Sequence, residues 1–224
     1  MIPLRDTNPT RTFPFITYAL IIANILVFLF EVTLGKHVNL FVSEFGVVPA
    51  RFVDEIHTAR IDVGTFFPFL SSMFLHGGWL HLLGNMLFLH IFGDNVEDKF
   101  GHFTFLLFYL LAGFVAAGTQ VYMSPASQVP MVGASGAIAG VLGAFVFMFP
   151  KAKIATLIPI IFFFFKIIDL PAFVFIGFWF LLQVLSAVMA LGIGADAGGV
   201  AWWAHIGGFA VGAISSPFLR KNRR

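Results

Sequence analysis

The chain has 224 residues, 59% of them hydrophobic and only 11% charged, with a mean hydropathy of +0.94. A water-soluble domain carries about 45–50% apolar and about 25% charged residues, so this composition excludes a soluble fold. A net charge of +2 argues against nucleic-acid binding, and the absence of cysteine removes disulfides, thiolate nucleophiles and cysteine-ligated metals.

Six apolar stretches follow along the chain, each near the roughly 20 residues that one membrane span needs. The polar start with Arg5 and Arg11 resembles a signal-peptide leader, but Glu31 and Lys36 follow the first stretch and no small-residue cleavage pattern does. Residues 15–30 are therefore expected as a retained signal-anchor span. Residues 35–68 mix Arg51, Asp54, Glu55 and Arg60 with Phe45, Val48 and Phe52, which suits a structured segment at the membrane interface. Further spans are expected over 69–92, 103–122, 133–149, 171–191 and 199–218. The run 154–168 is apolar but interrupted by Pro159 and ended by Lys166 and Asp169, so it reads as a membrane-dipping loop or a lead-in to the fifth span.

Lys and Arg placement sets the expected orientation. With six spans both tails share a side, and that side collects ten basic residues against three (Lys36, Arg51 and Arg60) on the other. Both termini are expected in the cytoplasm. The organisation is then a short tail over 1–13, a membrane domain over 14–219 and a basic tail over 220–224.

Polar side chains inside the spans cost about 2.5–3.5 kcal/mol each when charged at the centre, so those present call for a reason. They are His76, His81, Asn85 and His90 around the second span, Ser135 opening the fourth, Gln183 in the fifth and His205 in the sixth. Gly136, Gly140 and Ala144 recur every four residues, as do Ala204, Gly208 and Gly212. Two small-residue faces at one spacing predict that the fourth and sixth helices touch. That contact would bring the Ser135 hydroxyl beside the His205 imidazole, a general base for a weak nucleophile. His81 and Asn85 are four apart on one helix face. They read either as a hydrogen-bonding pair between helices or as donors to an oxyanion, with the free Ser135 N–H at a helix start as a third donor. His90 lies half a turn away and reads as structural.

The chain resembles the rhomboid intramembrane serine proteases. The matching elements are His76-Gly-Gly-Trp-Leu-His81-Leu-Leu-Gly-Asn85, Gly133-Ala-Ser135-Gly136 and Ala204-His205-Ile-Gly207-Gly208. Their order and their spans agree over about residues 69–215. The resemblance implies an all-α polytopic membrane protein, a six-helix bundle, working without cofactor or metal. It implies Ser135 as nucleophile, His205 as general base, and His81, Asn85 and the Ser135 N–H as the oxyanion hole. His76, Gly133, Gly136 and Gly208 are expected to support them. The implied partners are single-pass transmembrane substrates, cleaved near their outer ends in a bacterial or archaeal cell membrane, and lipid, with no nucleic acid.

Two positions depart from the best-known bacterial pattern. Ala139 stands where an aromatic residue often stacks on the histidine, so imidazole orientation is expected from Trp202 or Trp203. A Trp-Arg pair in the first outer loop is absent. Substrate entry is expected beside Phe178 and Trp179 and the loop before Trp202. Among other proteases, a metalloenzyme would need a Glu adjoining a histidine, which no histidine here has. The Gly192-Ile-Gly194-Ala-Asp196 stretch is one residue off an aspartyl-protease pattern and lacks a partner. A transporter fits less well, since the polar cluster lies at one end of the bundle. The main alternative is a non-proteolytic rhomboid-like protein that binds transmembrane clients in quality control.

Overall fold

The computed structural model describes residues 1–161, 164–193 and 199–220. In chain order the elements are β1 (Ile2–Asp6), α1 (Phe15–Thr33), α2 (Val38–Phe45), α3 (Pro49–His57), α4 (Val63–Ser71), α5 (Trp79–Phe100), α6 (His102–Met123) and α7 (Ser135–Met148). Strands β2 (Lys153–Ile161) and β3 (Phe164–Pro171) follow, then α8 (Ala172–Ile193) and α9 (Trp202–Leu219). The fold is a polytopic helical bundle, and α1, α5, α6, α7, α8 and α9 correspond to the six expected spans. By length and composition alone, α1, α6 and the Ala172–Leu191 part of α8 could each cross a membrane.

Helix α7 is different. Its 14 residues rise about 21 Å, less than the roughly 30 Å of a hydrocarbon core. Every residue from Gly136 to Phe145 is buried, so neighbouring helices rather than lipid surround it. The expected contact with α9 is backbone on backbone. A Cβ at Gly208 would run into the Gly136 carbonyl oxygen, and one at Gly212 into that of Gly140. On its other side α7 packs against α6, where a Cβ at Gly136 would approach Ala116 Cβ to 2.7 Å. Phe92 of α5 joins Phe145 of α7 and Phe175 of α8, with ring centroids 5.0 and 6.3 Å away.

The second expected span, 69–92, is displaced. Helix α4 stops at Ser71, the chain turns through Leu75 to Gly78, and α5 starts at Trp79 and runs on to Phe100. The acidic end of α5 stays helical because its carboxylates serve α1. Glu97, fully buried, accepts from the Ile16 and Thr17 N–H groups at 2.9 and 2.8 Å and from the Thr17 hydroxyl at 2.7 Å. An anion there satisfies donors that a helix start leaves open and complements its dipole. Asp98 accepts from Thr12 N–H and Oγ1 in the same way.

The run 154–168 is neither a dipping loop nor a helical lead-in. β2 and β3 form an antiparallel ribbon, with Ile154 opposite Leu170 and Ile158 opposite Lys166, and β1 adds to the edge of β2 with Ile2 opposite Leu157. Isoleucine-rich chain favours strands, and pairing satisfies backbone groups that a loop dipping into lipid would leave bare. Pro159, lacking an N–H, sits where the register shifts. The sheet also takes residues 2–6, expected as free tail, into a strand. At the other end of the bundle 35–68 is structured as expected. Arg51 closes α2 by donating to the Ser43, Glu44 and Gly46 carbonyls.

Candidate active site

Ser135 is the first residue of α7. The loop before it is pinned by an antiparallel bridge between Val47 and Met131 and by the Gly133 N–H donating to Ser72 O at 2.8 Å. Gly133 has φ +124°, and a Cβ there would lie 2.7 Å from His81 Cε1 and Nε2. Only glycine lets the chain pass His81 and still turn into the helix.

The α7–α9 contact sets His205 across from Ser135, with His205 Nε2 and Ser135 Oγ 2.8 Å apart. His205 Nδ1 lies 2.7 Å from Gln183 Oε1 on α8. The Gln183 amide nitrogen donates to Trp179 O, one turn back, at 3.1 Å. That second bond fixes the amide, because reversing it would oppose two oxygens. His205 therefore donates from Nδ1, and its Nε2 lone pair accepts the Ser135 hydroxyl. The aromatic neighbours of the imidazole are Trp179, 5.8 Å away, and Trp202, edge-on at 6.2 Å. Trp202 thus lies as expected. Trp203 instead contributes its backbone N–H to α9's start, where Gln120 Oε1 accepts from Trp203 and Ala204 at 3.1 and 3.3 Å.

On α5, His81 Nδ1 accepts the Gly77 N–H at 3.3 Å, which leaves the proton on Nε2, turned toward Gly133. Asn85 Nδ2 is buried without a partner and faces the same glycine, 3.5 Å from where its Cβ would be. The Ser135 N–H, in the first turn of α7, has no acceptor within its helix. The His81 and Asn85 donors thus lie beside Gly133, two residues before Ser135, and line the same cavity as Ser135. His76, 2% exposed, holds the turn before α5: its N–H reaches the buried Glu31 carboxylate at 3.2 and 3.4 Å, and its ring sits 5.1 Å from that of His81. His90 is exposed and lies beside Tyr18, away from the site. Gly194 and Asp196 lie outside the described residues. Among those described, no three His, Asp or Glu side chains come together as metal ligands.

A cavity of about 480 Å³ opens onto these groups, lined by His81, Asn85, Ser135 and His205 and walled by Trp179 and Val200. Phe178 is on the outer side of α8, 46% exposed. A second cavity of similar volume, among α2, α3 and α4, contains neither serine nor histidine. Its Arg60 is paired with Asp54 at 2.8 Å and its Arg51 with the α2 carbonyls.

A family model described as Rhomboid domain matches residues 63–222. The chain belongs to the rhomboid family. The chain is 31% identical over 144 residues to Rhomboid protease GluP of Bacillus subtilis, covering 64% of this chain and 25% of that one. It is 28% identical over 156 residues to Rhomboid protein 1, mitochondrial, of Saccharomyces cerevisiae, covering 68% and 41%. RHOMBOID-like protein 5 of Arabidopsis thaliana is 32% identical over 101 residues, covering 45% and 30%. The matched stretches thus span well under half of these curated relatives' length.

Gln120 and Glu31 shape this rhomboid site without standing out in the sequence. Glu31 reads there as the end of a span, and Gln120 is not among the polar residues singled out. Gln183 is visible as a lone polar residue in an apolar helix, but its partner is not.

Proposed function

We propose that this rhomboid is an intramembrane serine endopeptidase. The observation that carries the reading is the Ser135–His205 hydrogen bond, set in a cavity that His81 and Asn85 also line. Ser135 Oγ attacks a scissile carbonyl carbon while its proton passes to His205 Nε2. The charge that develops on the carbonyl oxygen is taken by His81 Nε2–H, Asn85 Nδ2–H and the Ser135 N–H, arranged in advance of the reaction. Collapse breaks the C–N bond, and His205 returns the proton to the leaving amine. Water then repeats the sequence on the acyl-enzyme, releasing the acid and restoring Ser135. The short α7 supports this chemistry, because its first residue opens onto a cavity roomy enough for hydrolytic water.

The substrates are transmembrane helices of single-pass proteins, cleaved near the outer face, with entry from lipid past α8 and the 199–201 stretch that lines the cavity. The basic-residue count puts both termini in the cytoplasm and the site toward the outside. No cofactor takes part.

In liposomes with a fluorogenic transmembrane substrate, Ser135→Ala and His205→Ala are each expected to lower kcat by about 10³-fold or more. Cleavage that persists in Ser135→Ala would sink the serine mechanism. A wild type that binds such helices without cutting them would favour the client-binding alternative.

A further inference from the structure

The nucleophile and base read above are a dyad, yet this structure holds the base from behind with a further side chain. We propose that Gln183 is a positioning residue that fixes His205 as the Nδ1–H tautomer and aims its Nε2 lone pair at Ser135. The proposal rests on the Ser135–His205 reading.

Three observations support it. Gln183 is 6% exposed and its oxygen is 2.7 Å from His205 Nδ1, a bond that must be donated by the imidazole. The amide cannot reverse, because its nitrogen is committed to the Trp179 carbonyl. The opposite ring nitrogen is the one at Ser135, 2.8 Å away. Free imidazole places its proton on either nitrogen, and only one choice leaves Nε2 able to accept. A neutral amide achieves this without bringing an anion into the membrane, where a carboxylate would carry a heavy desolvation cost. It also answers how the ring is held when Ala139 offers no stacking face: α8 supplies Gln183 and Trp179 together.

The test compares Gln183→Met, similar in length but without an acceptor, and Gln183→Glu, which restores an acceptor oxygen at the same reach. Ser135→Ala serves as reference. Each is purified as the full chain, checked by thermal unfolding, and assayed for kcat and KM on a transmembrane substrate and for fluorophosphonate labelling rate. Gln183→Met is expected to lose about 10- to 100-fold in kcat and labelling rate, a fraction of what a positioned base supplies, with KM within about twofold. Gln183→Glu is expected to recover most of that loss. Wild-type kcat and labelling in Gln183→Met, or a Glu variant as slow as Met, would overturn the proposal. So would a loss confined to KM and melting temperature, which marks a packing residue. If Ser135→Ala still cleaves, the underlying dyad fails instead, an outcome separable from these.

Discussion

Gly133 and Asn85 show how little tolerance the site has. Gly133→Ala adds a methyl 2.7 Å from the His81 ring at a backbone angle that L-residues rarely adopt. It is expected to cost about 1–3 kcal/mol in stability and to displace His81, with activity falling further than thermal unfolding alone explains. Asn85→Ala removes a buried donor that has no partner in the resting site. The expected loss is about 10²-fold in kcat with little change in KM, measured on the liposome substrate. Ser135 and His205 are legible in the sequence because polar groups stand out in apolar helices, and the small-residue spacing foretells their meeting. Gln183 is equally visible, but its meaning depends on α8 lying against α9, which no local pattern encodes. Glu31 hides for a related reason: a carboxylate at the end of a span normally faces water, and only the turn at His76 gives it a buried partner.

Among the elements, the α7–α9 pair is the most tightly constrained. Gly212→Ala would drive a methyl into the Gly140 carbonyl and toward Ala144 N. Overpacking of this kind costs about 1–3 kcal/mol or more, and a lowered melting temperature with a parallel fall in fluorophosphonate labelling is the expected result. The sheet at the far end makes a different prediction. Burial pushes the Asp6 carboxyl up to about 6, with a nearby Asp94 adding to the effect and the Asn8 N–H opposing it. The folded state then holds a proton more tightly than the unfolded chain. The local contribution is therefore greatest at low pH and declines as pH rises from about 4 through about 6. Corrected for the intrinsic base catalysis of exchange, amide protection in β1 should fall between about pH 4 and 6 in wild type and show no such fall in Asp6→Asn. This sheet is where the sequence is least readable. β2 is apolar almost throughout, so no alternation marks it, and β1 finds its partner about 150 residues later. The α5 boundaries were obscured by the acidic end, whose charges look like a loop until Glu97 is seen capping α1.

For the whole molecule, the chain lacks cysteine, which makes sidedness directly measurable. Ile61→Cys, in the exposed link between α3 and α4, is expected to react with an impermeant maleimide on intact cells. Thr10→Cys, before α1, is expected to react only after permeabilisation, and the reverse pattern would overturn the orientation. The bundle is unevenly bonded. α7 is sealed among its neighbours, whereas α8 turns Phe173, Leu181, Leu185, Val188 and Met189 outward. On the proposed function, a substrate helix arriving from lipid would meet this exposed apolar face of α8. Yet α8 also carries the amide bonded to His205. A displacement of α8 wide enough to admit a guest would also draw the amide off the imidazole. On the proposed function, the base would be aligned only while α8 lies against α9, so admission of a helix and alignment of the dyad would be coupled through one side chain.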